Sequence, residues 1–313
     1  MLAFRTFSLG QGLFDSALVL SEDEGQTWAT LQPPLPGELL PLSVDFAPSD
    51  PMRIYLSARM NSASEYRSVL LRSLDAGRSF EQLSIPDTSQ QKLAFIAGVD
   101  PNDAEHVFVR VDDPLGTVLL ASDDAGQSLR ELFRGAGRLT GFAIAHDATE
   151  VALGGVNDGV WVGPIDGSRF EQKSSTAVSC LRYGPDGLYA CADSTQGGAL
   201  LARSHDDGVT FETLLEFGSL CGTTACPATT EVARTCRAEW ESIAPTLGTT
   251  CGTQSVPNST GGAPSSARAS GAGCAFRDSS AGFRGSLLCL AFCTSSIVLR
   301  RLRRPRRNSP RSR

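Results

Sequence analysis

The sequence predicts an all-β fold assembled from repeated four-stranded units, and three observations lead there. An eight-residue pattern recurs as "SEDEGQTW" at Ser21, "SLDAGRSF" at Ser73, "SDDAGQSL" at Ser122 and "SHDDGVTF" at Ser204. A short apolar run enters each copy and another follows it. A hairpin-like segment with a polar turn lies upstream of the later copies. The composition agrees, with 41% hydrophobic residues and 31 Gly in 313, a profile suited to turn-rich β structure.

Each copy places Ser, then Asp two residues on, Gly two further, Ser or Thr two further, and then a large apolar residue. The positions are Ser21, Asp23, Gly25, Thr27 and Trp28; Ser73, Asp75, Gly77, Ser79 and Phe80; Ser122, Asp124, Gly126 and Ser128, closing on Leu129; and Ser204, Asp206, Gly208, Thr210 and Phe211. The start-to-start gaps are 52, 49 and 82 residues. The last gap is two units of about 41, and a worn copy, "GPIDGSRF", sits in phase at Gly163–Phe170. It keeps Gly167 and Phe170 and replaces the Ser, Asp and Thr with Gly163, Ile165 and Arg169.

The entering runs are "ALVL", "SVLLR", "TVLLA" and "ALLAR"; "FEQLSI" and "FETLLEF" are among those that follow. The upstream hairpins read "LSVDFAPSDPMRIYLSAR", "LAFIAGVDPNDAEHVFVRV", "LTGFAIAHDATEVALGG" and "VSCLRYGPDGLYACAD". Each unit is thus a hairpin, a third strand, the box turn and a fourth strand. Four strands in about 40–50 residues suit a blade of a β-propeller. In the box, the Asp is expected to accept backbone N–H groups and the Gly to take positive φ. The closing aromatic is expected to return to the core, which would place Trp28 inside. The first unit has room only for a second strand ("LAFRTFS") and a third ("SALVL"). The chain is therefore expected to begin inside a blade, as a truncated product lacking one or two blades and a signal peptide.

The pattern S-x-D-x-G-x-[ST]-[WF] resembles the Asp-box, or BNR repeat, of sialidases, sortilin-type receptors and photosystem II assembly factors. The resemblance spans residues 1–218 and implies a propeller in which the box residues are structural. Its enzymatic version would need an arginine triad, a Tyr–Glu nucleophile pair and an Asp acid. No Arg-Ile-Pro occurs, "MRIYLS" lacking the Pro. Neither Tyr55 nor Tyr189, both in second strands, is marked as paired with a Glu.

Beyond the repeats the composition changes. Residues 219–252 hold Cys221, Cys226, Cys236 and Cys251. Val232, Cys236, Trp240 and Ile243 share one face of a helix of about 15 residues, with Thr229 or Thr230 as N-cap and Pro245 near its end. Two disulfides stapling that helix are one reading; four thiolates on zinc are another, but paired C-x2-C knuckles are missing. Cys180 and Cys191, equidistant from the turn of the last hairpin, are expected to pair across it, which favours an oxidising compartment. Buried free thiols are the competing reading.

Residues 253–273 read as a Ser/Gly/Pro/Ala linker. Residues 274–313 carry Cys274, an apolar run from Gly285 to Leu299 and an Arg cluster. The run is 15 residues, short of the ~20 that span a bilayer; extending it to Ala281 takes in Arg284. Linker, Gly-Cys, apolar run and Arg cluster resemble the MYXO-CTERM sorting tails of exported myxobacterial proteins. That resemblance implies processing or anchoring at Cys274 and membrane contact through residues 281–313.

The net charge of −6 includes eight Arg and no acid after residue 299, leaving −14 for the first 299 residues. An acidic body excludes the basic face of a nucleic-acid binder. "DPNDAE" (100–105) lacks the Gly and closing Glu of a calcium loop. The Asp pairs 123/124 and 206/207 belong to the boxes. His106, His146 and His205 fall in turn contexts without metal or catalytic spacing, and no Walker loop, G-x-S-x-G or HExxH occurs. No cofactor or metal is implied. The expectation is a non-enzymatic, exported or envelope-held propeller that binds a protein or glycan. The alternatives are a glycan hydrolase with incomplete catalytic blades and a truncated, non-functional product.

Overall fold

The computed structural model describes residues 1–31, 33–62, 65–89, 92–192, 199–220, 222 and 231–246. They fall into two compact units. The first is built from antiparallel sheets that follow one another along the chain. The first sheet has three strands, β1 (Leu2–Gly10), β2 (Leu13–Leu20) and β3 (Ala29–Thr30). Four four-stranded sheets follow. The second holds β4 (Leu39–Phe46), β5 (Ile54–Ser62), β6 (Glu65–Ser73) and β7 (Glu81–Ser89). The third holds β8 (Leu93–Val99), β9 (Val107–Asp113), β10 (Gly116–Ser122) and β11 (Arg130–Arg134). The fourth holds β12 (Leu139–Ile144), β13 (Glu150–Gly155), β14 (Gly159–Pro164) and β15 (Glu171–Ser174). The fifth holds β16 (Val178–Gly184), β17 (Gly187–Ala192), β18 (Leu201–Ser204) and β19 (Glu212–Leu215). Every sheet is a meander in chain order, the blade arrangement of a β-propeller. Each box joins its sheet's last two strands.

The strands follow from their residues. The third strand β10 reads GTVLLAS and is buried along nearly its whole length, because sheets lie on both sides of it. The first strand β12 alternates buried and half-buried residues, so only one of its faces enters a core. Four apolar clusters fill the spaces between consecutive sheets. Leu18, Leu39, Leu56 and Val69 lie between the first and second sheets; Tyr55, Leu70, Ala94 and Val109 between the second and third. Phe108, Leu119, Val151 and Leu153 lie between the third and fourth, and Val160, Val162, Val178 and Leu188 between the fourth and fifth. Burying one such side chain contributes about 1.5–3 kcal/mol, so the inter-sheet layers are the main source of stability.

The closing residue of a box packs into the layer between its own sheet and the preceding one. Phe80, Leu129, Phe170 and Phe211 all do so. Trp28 does not, contrary to the expectation from its sequence: it is 43% exposed. Among the described residues no sheet precedes the first, so no apolar layer receives its ring. The indole instead folds back, its Nε1–H donating to the Gly25 carbonyl at 3.1 Å.

Cys180 and Cys191 stand directly opposite in the β16–β17 register and form a disulfide. The second unit contains α1 (Glu231–Ile243), 13 residues against the 15 read from its periodicity. Cys236, a candidate disulfide partner in the sequence, is a half-buried free thiol on α1. Cys221, Cys226, Cys251 and Cys274, the linker and the apolar tail lie outside the described residues. Among the described residues, no helix is long and apolar enough to cross a membrane, and no group of three His, Cys, Asp or Glu is placed to hold a metal ion.

Candidate functional site

Four boxes share one hydrogen-bond arrangement. In the third, Asp124 Oδ1 accepts the Ser122 hydroxyl at 2.7 Å and the Ser128 N–H at 2.8 Å, while Oδ2 accepts the Ser128 hydroxyl at 2.6 Å. Ser122 Oγ in turn accepts the Gly126 N–H at 2.7 Å. Asp23, Asp75 and Asp206 repeat these contacts with Ser21 and Thr27, Ser73 and Ser79, and Ser204 and Thr210. Gly25, Gly77 and Gly208 donate to the box Ser in the same way. Bonds from the Ser or Thr four residues on hold each of the four carboxyls at a pKa of about 2, below the ordinary 3.8. These carboxylates are occupied as acceptors inside their own turns.

The side chains that sequence reasoning weighed for chemistry are similarly engaged. Tyr55 is fully buried and its hydroxyl donates to the Ala104 carbonyl at 2.7 Å, tying the second sheet to the third. The Tyr189 hydroxyl donates to Asp186 at 2.6 Å. The 100–105 segment is a turn: Asp100 Oδ1 accepts the N–H of Asn102 and of Asp103, and Asp103 Oδ1 accepts that of Glu105.

The worn box of the fourth sheet differs. Gly163 and Ile165 stand where Ser and Asp would build the internal network. The turn is held by backbone and by a shifted carboxylate instead. Ile165 N–H donates to the Thr149 carbonyl at 3.0 Å, Gly167 N–H to the Pro164 carbonyl at 2.8 Å, and Ser168 N–H to Asp166 Oδ1 at 2.8 Å. Beside this turn a cleft of about 490 Å³ opens. Val162, Gly163 and Pro164 supply its apolar lining, and the Thr149 and Ser168 residues border it. Glu150, Arg169, Glu171 and Lys173 add charge of both signs. Glu171 is paired with Arg169 at 2.6 Å and Lys173 at 3.3 Å. Glu150 accepts the Tyr183 hydroxyl from the fifth sheet at 2.9 Å. Burial, and then this contact with a carboxylate, push the Tyr183 phenol well above the ordinary tyrosine range. Tyr183 is therefore a neutral donor that fixes the Glu150 carboxylate at the cleft. The sequence showed the worn box but not the cleft, because residues from β13, β14, the box and β15 assemble it.

The first unit is thus a run of propeller sheets with a charged cleft beside the box that departs from the repeat's pattern. No protein-family model matches the chain, and no curated protein sequence does. Solved structures similar to it include YCF48 bound to D1 peptide, at 17% identity and a TM-score of 0.42, over 64% of this chain and 61% of that one. A GH74 enzyme of Niastella koreensis is similar at 14% identity and a TM-score of 0.42, over 67% and 30% of the two chains. A putative TolB from Agrobacterium tumefaciens is similar at 15% and 0.41, over 61% and 66%. The chain spans less than two thirds of the length of each.

Proposed function

We propose that this protein is a non-enzymatic binding propeller that takes a protein segment at the cleft of its fourth sheet. The observation that carries the reading is that a cleft with charged side chains opens beside the worn box. Where the internal Ser–Asp network is given up, charged side chains of both signs border an open apolar floor. The edge strand β15, which supplies Glu171 and Lys173, runs along this cleft and lies at the end of its sheet. An extended polypeptide could meet both its charges and its backbone groups there. The Cys180–Cys191 disulfide supports an oxidising compartment, and hence export to the envelope or beyond.

The test is a photo-crosslinker at Lys173 in the full chain in its native host, followed by titration of the captured protein. Reversing both cations, Arg169→Glu with Lys173→Glu, is expected to weaken that binding by about tenfold or more, roughly 1.4 kcal/mol. Unchanged affinity would remove the cleft from the reading. Capture of a glycan would replace the protein partner, and turnover of glycosides by the purified chain would favour a hydrolase instead.

A further inference from the structure

We infer that the face of the fifth sheet turned away from the fourth receives the first box, Ser21–Trp28, of a second copy of this chain, so that copies associate head to tail. The observation is a repeated set of residues. In the second sheet, Tyr55, Leu70, Arg72, Glu81 and Leu83 receive the box of the third. In the fifth sheet, Tyr189, Leu201, Arg203, Glu212 and Leu214 stand at the same places relative to their own box. Leu70 and Leu201 precede the box Ser by three residues, and Arg72 and Arg203 by one. Glu81 and Glu212 follow the closing Phe by one residue, and Leu83 and Leu214 by three. Tyr189 stands opposite Arg203 in register, as Tyr55 does opposite Arg72.

The second sheet shows what the set does. The Tyr55 hydroxyl donates to the Ala104 carbonyl of the third sheet at 2.7 Å. Arg72 Nη1 donates to the carbonyl of Ala125, the residue before the box Gly, at 3.1 Å, and Nη2 meets Glu81 at 2.5 Å. Leu70 and Leu83 form the seat of Gly126, where a Cβ would lie 2.5 Å from Leu70 Cδ2 and 3.2 Å from Leu83 Cδ1. The two Leu positions seat a box Gly at each of the other contacts between sheets: Leu18 and Leu31 at Gly77, Leu132 at Gly167 and Val160 at Gly208. The Tyr–Arg–Glu part is more selective. In the third sheet Phe108, Ala121 and Arg130 stand in its place.

In the fifth sheet the set turns back on itself. The Tyr189 hydroxyl donates to Asp186 Oδ1 at 2.6 Å, and Arg203 donates to Asp186 Oδ2 and to Glu212. Leu214 is 42% exposed. The box without such a seat is the first. Gly25 has the positive φ of the others, yet a Cβ on it would meet nothing nearer than Met1 Sδ at 3.4 Å, and Trp28 is exposed. Docking would set Gly25 on Leu201 and Leu214, give Arg203 the Glu24 carbonyl in the role of Ala125, and cover Trp28. Box and seat are both exposed in the same chain, so the box comes from another copy. A contact between two different surfaces closes into a ring or continues from copy to copy. It uses no residue of the cleft and stands apart from the cleft reading.

The test is sedimentation velocity of the full chain from about 1 to about 100 μM. The weight-average mass is expected to at least double over that range. Trp28→Glu disables the box and Leu214→Glu the seat; both positions are exposed, and far-ultraviolet circular dichroism checks that the variants fold. Each variant alone is expected to stay monomeric. Their equimolar mixture is expected to recover a dimer, because one intact box still meets one intact seat. A monomeric wild type throughout, or association that both variants leave unchanged, would overturn the inference. So would a mixture that stays monomeric while the wild type associates, which would mean that like surfaces pair. Amide exchange across Ser21–Trp28 in the wild type needs no variant and is expected to slow several-fold as concentration rises. Protection independent of concentration would mean that the chain covers its own box, and would overturn the second copy as occupant.

Discussion

At residue scale the box Gly meets two demands, of which the sequence revealed one. Positive φ is common to all five, Gly25 at +90°, Gly77 at +86°, Gly126 at +89°, Gly167 at +67° and Gly208 at +91°. The other demand, at three of the five, is close packing on the preceding sheet; at Gly77 the nearest atoms are Leu18 Cδ1 and Leu31 Cδ1 at 3.4 Å, ordinary contact. A Cβ on Gly126 would sit 2.5 Å from Leu70 Cδ2, on Gly167 2.6 Å from Leu132 Cδ2, and on Gly208 2.8 Å from Val160 Cγ1. At Gly25 the nearest atom is Met1 Sδ at 3.4 Å, ordinary contact. Gly25→Ala is therefore expected to cost only the left-handed strain, about 1–2 kcal/mol. Gly126→Ala adds overpacking against the fully buried Leu70, about 1–3 kcal/mol more. Urea unfolding of the two variants checks this; equal losses would show that φ alone explains the Gly.

At element scale, the fourth and fifth sheets show what could be read in advance. The disulfide could: residues equidistant from a hairpin turn are opposite in register, and an antiparallel pair brings them together. It closes a loop of separation 11, for which chain entropy gives about 2–3 kcal/mol. Cys180→Ala with Cys191→Ala is expected to lower stability by that amount, with amide protection falling first in β16 and β17. Uniform loss across all sheets would place the effect elsewhere. The box network was also legible, because its bonds join residues two and four apart. Trp28 was not, since its burial depends on a neighbouring sheet and not on its own turn. The cleft was hidden for the same reason, and so was the reach of Arg130, which follows the third box and donates to the Asp166 carbonyl of the next sheet. Spacing encodes contacts inside a turn and leaves contacts between sheets to the pairing of whole blades.

For the molecule as a whole, four box carboxylates at about pKa 2 share one titration window although they lie in four different sheets. Asp113, Asp147, Asp166, Asp186 and Glu212 are lowered too, through hydrogen bonds and nearby cations. A carboxyl depressed in the folded state stabilises it above its unfolded value, 3.8 for Asp, and that stabilisation is lost as pH falls toward the folded value. The protein is therefore expected to lose stability steeply between about pH 4 and about pH 2, with the sheets unfolding together because each packs on the next. Urea midpoints at pH 5, 4, 3 and 2 measure this effect. Asp75→Asn combined with Asp124→Asn removes two of the titrating groups from adjacent sheets, and is expected to lower stability at pH 5 and flatten the slope below pH 4. An unchanged slope in the double variant would mean that the box carboxylates do not govern acid unfolding, and that the turns stay formed when protonated.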